Sequence, residues 1–175
     1  MSLMRICKYG ERILRKKTRP VDYALEKGAL PGIIAGMFET MRAAGGVGLS
    51  ANQVGLDIRL SIISIAHENE PELNLVLINP EIVSAEGGQE GEEGCLSFPG
   101  FYQLVRRYDK VTVRALNERG LPVEIRAGGF LARALQHEID HLDGRLFIDR
   151  LPFLVRLKLR PRLIILKRKW AAGRK

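Results

Sequence analysis

A chain of 175 residues, 46% of them hydrophobic, is long enough to bury one well-packed core. No run of about 18 apolar residues exists, which excludes a transmembrane helix, and two cysteines in unlike contexts argue against a disulfide framework. The formal charge of +8 is unevenly placed: nine Lys/Arg and no acid lie between Leu154 and Lys175, leaving 19 basic against 20 acidic residues elsewhere.

In chain order, the stretch from Pro31 to Met41 predicts a helix ending near Gly45, with Ile34, Met37, Phe38 and Met41 on one face. The following run, Gly45 to Gly55, permits close backbone approach and contains the amide side chain of Gln53, a potential hydrogen-bond donor. Residues 58–65 and 75–83 read as strands. The polar run Ala66 to Glu70 between them reads as a solvated loop. Glu86 to Glu93 is acidic and glycine-rich, a composition that suggests a loop leading to Cys95. Residues 101–107, 111–117 and 121–126 read as further strands, the last two joined by a hairpin turn at Asn117-Glu118-Arg119-Gly120. Leu131, Leu135, Ile139 and Leu142 then recur at i, i+4, i+8 and i+11, one apolar stripe of a helix that Gly144 would terminate. Past it, Val155 to Arg160 alternates apolar and basic residues at a strand-like period, and Pro161 should interrupt any continuous helix, although Arg162 to Trp170 could still form a helical turn or two. There is no internal repeat and no linker. The fold class expected is α+β: one domain of largely antiparallel strands around a central helix.

That central helix carries Gln136-His137-Glu138-Ile139-Asp140-His141, an H-E-x-x-H signature. Residues four apart project from one helix face, so His137 and His141 can close on one metal ion, while Glu138 is placed to move protons. Two histidines are too few, because catalytic sites of this kind use three protein ligands and leave a position open. The extended protease pattern H-E-x-x-H-x-x-G-x-x-H fails at its last residue, Phe147, and no acid follows Asp149. The third ligand should therefore lie upstream, where Cys95, Cys7 and His67 are the candidates. Cys95, flanked by glycine-rich segments, is preferred; Cys7 reads as a buried structural thiol and His67 as a solvated loop residue. A Cys-His-His set suits zinc or ferrous iron.

Three segments together, Gly46-Val47-Gly48-Leu49-Ser50-Ala51-Asn52-Gln53, Glu93-Gly94-Cys95-Leu96-Ser97 and Gln136 to His141, resemble the three motifs of the peptide deformylase family. The resemblance covers nearly the whole chain and implies a catalytic domain over residues 1–153, with 154–175 a basic tail rather than a separate domain. It implies Cys95, His137 and His141 as metal ligands, and Fe(II) as the metal, with zinc, nickel or cobalt able to replace it. It further implies Glu138 as general acid/base, with Gln53 and the backbone N–H of Leu96 polarising the substrate's formyl oxygen. The implied reaction releases formate from N-formylmethionyl nascent peptides. Val47, Gly48, Gly94, Leu131 and Ala134 are the candidate substrate contacts. Two positions depart from the pattern: Ser50 stands where many relatives carry alanine, a change expected to matter little. Tyr102 stands near an arginine that helps some relatives hold the peptide.

The N-terminus shows neither a signal-peptide apolar region nor an Arg/Ser-rich transit segment, so a cytoplasmic location is expected. The basic tail invites an anionic partner, and some relatives dock such a segment on the ribosome. Competing readings are a metallopeptidase, opposed by Phe147, and a structural metal site in an RNA-binding module. A structural site would need a fourth ligand.

Overall fold

β-Branched and leucine-rich stretches build the sheets and leave the helices to cover them. The computed structural model describes residues 3–67 and 70–172, in the order α1 (Tyr23–Glu26), α2 (Leu30–Ala43), β1 (Gly48–Ser50), β2 (Leu60–His67), β3 (Glu70–Glu86), β4 (Gln89–Glu93), β5 (Gln103–Arg107), β6 (Lys110–Leu116), β7 (Pro122–Gly128), α3 (Gly129–Leu142) and α4 (Phe153–Ala172). Short 3-10 turns span Arg12–Arg15, Ala51–Val54 and Phe147–Arg150. Residues 68–69 of the expected polar loop lie outside the described residues, and β2 itself continues to His67.

The named strands pair antiparallel, in a five-stranded sheet ordered β1-β2-β3-β6-β7 and a two-stranded sheet of β4 and β5. In the long strand β3 the register shifts between Ile78 and Glu81, around Asn79-Pro80. Proline cannot donate to the ladder there, and Asn79 adopts φ 54°, a left-handed geometry that asparagine tolerates. Its side-chain amide instead pairs with the backbone of Val21 in both directions, at 2.8 and 2.9 Å, tying the N-terminal segment to the sheet. The hairpin at Asn117 to Gly120 forms as expected, closed by Gly120 N–H donating to Asn117 O at 2.9 Å.

Alternation decides which sheet face is apolar. Ile63, Ile65, Leu77, Val111 and Val113 point to one side and meet Ala132, Leu135 and Ile139 of α3. On the other side of β1 and β2, α2 delivers Ile34, Met37 and Met41, with Phe38 partly buried beside them. Leu135 is fully buried, a burial that stabilises the fold by about 1.5–3 kcal/mol. Leu135→Ala should cost about 2–5 kcal/mol, because a cavity would remain between helix and sheet. At the C-terminal end of α3 the chain reverses through Gly144 at φ 71°.

Two expectations fail, each for a physical reason. Glu86 to Glu93 is not a loop: β3 runs to Glu86, a tight turn follows at Gly87-Gly88, and β4 pairs with β5. Its acids alternate, Glu90 and Glu92 outward and Glu93 inward, where arginines receive it. The tail is one helix despite Pro161, whose ring lies on the exposed face. Val155, Leu159, Leu163, Leu166 and Trp170 form a stripe packed on Phe98 and Phe101, and that docking outweighs the roughly 3 kcal/mol an internal proline costs. Among the described residues, no helix is long and apolar enough to cross a membrane.

Candidate metal centre

The site forms where α3 passes beneath β1 and the loop after β4. Its open side is a cleft of about 580 Å³ lined by Val47, Gly48, Gln53, Gly94, Cys95, Leu96, Phe130, Ala134, His137 and Glu138, with Lys8, Tyr102 and Arg133 among the others. Cys95, His137 and His141 each offer one ligand atom, and these atoms lie within 4.8 Å of one another. Cys95 Sγ is 3.2 Å from His141 Nε2, and the two imidazole centroids are 4.9 Å apart. His141 sits behind this group, 1% exposed.

The donor set fits a single divalent cation on the structure's own terms. His137 turns Nδ1 to Glu93 Oε2 at 3.0 Å, which leaves its Nε2 for the cleft. A carboxylate holding the outer nitrogen of an imidazole is the usual support for a metal-binding histidine. Burial alone would depress His137, but hydrogen bonds to Cys95 and Glu93 hold it well above the usual imidazole range. Burial and the nearby His137 charge push His141 well below that range.

Glu93 is itself fixed from three sides. Arg107 donates to both its oxygens at 2.8 and 2.9 Å, and Arg133 adds a bond at 2.9 Å. Despite burial, which opposes ionisation, Arg107 and His137 bring its pKa down to about 2. Arg107 also reaches Asp140, which in turn accepts from Arg150 at 2.9 Å. Composition gives no hint that these charges are buried. The adjacency of Glu93 to Gly94-Cys95 is the one signal in the sequence that could have found it.

Glu138 lies in the cleft wall beside the three candidate ligands, and burial raises its pKa above the usual 4.5 against the opposing pull of His137. Its carboxylate rests against Gly48, where any Cβ would collide with Oε1. Gln53 accepts from Ser50 N–H at 2.8 Å, which aims its Nε2 at Cys95 Sγ (3.4 Å) and Ser97 Oγ (3.2 Å). Lys8 Nζ holds the carbonyl of Leu96 at 2.9 Å, while the Leu96 N–H has no partner among the described residues.

Most residues singled out in the sequence meet here. Leu131 does not: it packs on the sheet side of α3, and Phe130, one residue earlier and 56% exposed, lines the cleft instead. Cys7 is buried in the same cluster as Phe98 and is not one of the three grouped donors. Phe147, the residue that breaks the longer protease pattern, is a buried ring stacked beside His137 at 6.1 Å. Tyr102 lies with its ring over Gly94 at the cleft edge.

The family model described as polypeptide deformylase matches residues 3–156. The chain belongs to the polypeptide deformylase family. It is 46% identical to the peptide deformylase of Elusimicrobium minutum over 98% of this chain and 100% of that protein. It is also 46% identical to the one from Syntrophobacter fumaroxidans, over 97% and 95%. A crystal structure of a peptide deformylase from Legionella pneumophila superposes with a TM-score of 0.84 at 46% identity, covering 99% of each chain. Arabidopsis thaliana peptide deformylase 1B, in complex with an inhibitor, superposes at 0.89 with 36% identity over 98% of this chain and 94% of that one. Deformylases are metal-dependent amide hydrolases that remove the N-formyl group from nascent peptides, and this chain is an enzyme of that class.

Proposed function

We propose that this chain removes the formyl group of N-formylmethionyl nascent peptides, with Cys95, His137 and His141 holding Fe(II) and Glu138 handling protons. The observation that carries the reading is the placement of Glu138 in the cleft wall next to a three-donor group. When bound, the cation would act as a Lewis acid on the formyl oxygen and bring a water toward a pKa of ~7.

The chain's own groups supply the remaining chemistry. Gln53 Nε2 and the Leu96 N–H donate to the formyl oxygen as it gains charge, and one such donor is worth about 3–4 kcal/mol in the transition state. Glu138 accepts the proton of the attacking water and returns it to the departing amine. The water oxygen bonds to the formyl carbon, the C–N bond breaks, and formate leaves with a free methionyl amine behind. Gly48 and Val47 crowd the place where an acetyl methyl would sit. Gly94, Phe130 and Ala134 offer surface for the methionine side chain, with Phe130 replacing Leu131 in that role.

Formate release from a formylmethionyl dipeptide by anaerobically purified, Fe(II)-loaded protein tests the reaction. Wild type should release formate, Glu138→Ala should be slower by about 10²–10⁴-fold with its metal retained, and acetylated peptide should remain intact. A Glu138→Ala protein as fast as wild type would remove the acid/base assignment. Loss of activity and iron together in air, with a slower but durable zinc form, is expected for a native ferrous site.

The reading places the enzyme in the cytoplasm, where nascent chains are made. It also assigns α4 to the ribosome. From Leu154 onward the segment carries nine Lys/Arg and no acid, and none of the described cations on α4 has a salt-bridge partner among the described residues. Salt-sensitive co-sedimentation with ribosomes, weakened when Arg156, Lys158 and Arg160 become glutamine, tests it. Unchanged binding would refute it.

A further inference from the structure

Ser50 is fully buried, and its hydroxyl reaches Glu138 twice: the carboxylate Oε2 at 2.6 Å and the backbone carbonyl at 2.9 Å. Its backbone N–H meanwhile donates to Gln53 Oε1 at 2.8 Å. One residue therefore anchors both groups on which the proposed chemistry depends. The expectation that Ser50 merely substitutes one small side chain for another overlooks that hydroxyl.

We propose that Ser50 is a positioning residue that acts through Glu138, resting on the deformylase reading above. The Glu138 carboxylate is confined from two sides. Oε1 lies against Gly48, where an added Cβ would displace the carboxylate, and Oε2 is tied to Ser50 Oγ. The Ser50 hydroxyl has one proton for two acceptors; donated across the shorter 2.6 Å contact rather than to the carbonyl at 2.9 Å, it holds Oε2 as an acceptor and leaves Oε1 for proton exchange with water and amine. A buried carboxylate without this tether would sample other χ3 rotations, since that torsion is broad and two-fold. Alanine at this position would leave β1 and the Gln53 side-chain contact in place, because Gln53 Oε1 accepts from the Ser50 backbone N–H.

The experiment compares Ser50→Ala, Glu138→Ala and the double variant, all Fe(II)-loaded, with formylmethionyl dipeptide at high enzyme concentration. Hydrogen bonds to charged groups are worth enough that Ser50→Ala should lower kcat roughly tenfold. KM, iron content and the folded fraction at the assay temperature should stay at wild-type values, and Ser50→Ala should cost nothing further in kcat in the Glu138→Ala background. An unchanged kcat in Ser50→Ala overturns the proposal. So does the same tenfold loss in both backgrounds, or a loss of rate that tracks a loss of iron or of folded protein. Wild-type turnover by Glu138→Ala would instead overturn the acid/base reading itself, an outcome visible before Ser50 is considered.

Discussion

Two charged regions of this molecule obey opposite rules. Beneath the cleft, Glu93, Arg107, Arg133 and Asp140 are almost completely removed from water, with side-chain exposures of 1–8%, and each is paired. On α4, most cations face solvent and no described acid answers them. A buried charge is tolerated only when its hydrogen-bonding capacity is used, so the first set is committed to holding geometry. Glu93 directs that commitment at His137, fixing which imidazole nitrogen faces the cleft. Of the α4 cations, Arg162 lies over the Phe101 ring at 5.0 Å; Arg156, Lys158 and Arg160 are exposed and have no such contact among the described residues.

The sharpest way to break this contrast is Arg107→Met. It leaves Glu93 and Asp140 buried with fewer partners, and removing one member of such a group costs about 3–5 kcal/mol. Chemical denaturation followed by circular dichroism reads this directly; a loss below about 1 kcal/mol, the level of an exposed pair, would mean that the lattice is not structural. The pH dependence points the same way. Glu93 falls from an ordinary 4.5 to about 2 in the folded state, so its contribution is complete above pH 4.5 and disappears as pH falls toward 2. Acid unfolding monitored by tryptophan fluorescence should therefore steepen in that window in wild type. In Glu93→Gln that component should be absent. Smaller in effect is the same Glu93→Gln change on metal affinity. A neutral amide cannot polarise His137 as a carboxylate does, and loss of such an outer partner typically weakens binding about 10–100-fold. Competition with a chelator measures it, and unaltered affinity would detach Glu93 from the metal centre.

The same contrast explains what the sequence could and could not reveal. Helix α3, the antiparallel strands and the Cys-His-His group were legible because periodicity and ligand spacing are local properties of the chain. Glu93 was not, because an acidic, glycine-rich stretch looks solvated until Arg107 and Arg133 arrive from β5 and α3. Nor was α4 as one helix. Val155 to Arg160 has a two-residue alternation, and only contact with Phe98, Phe101 and Cys7 reveals the stripe of Val155, Leu159, Leu163, Leu166 and Trp170. Leu131 and Phe130 differ by one position, about 100° around a helix, which is beyond what an apolar pattern can resolve. Ser50 belongs to a motif that is plain in the sequence, yet its hydroxyl acquires meaning only 88 residues away, at Glu138.

The mildest change tests the other half of the contrast. Replacing Arg156, Lys158 and Arg160 by glutamine on α4 removes three exposed cations that form no ion pair among the described residues. Exposed charges of this kind contribute within about 0.5 kcal/mol each to stability, so melting and dipeptide turnover should stay close to wild type. The glutamines preserve helix propensity and leave Leu163 and Trp170 docked, which separates a charge effect from undocking of the helix. If α4 meets RNA, the affinity for ribosomes should drop. Its salt dependence, d log K/d log[salt], should also become shallower by roughly 2–3, the share of three lost phosphate contacts. A destabilised protein with an unchanged salt slope would mean the opposite: these α4 cations would be part of the fold, and the distinction between committed and available charge would fail.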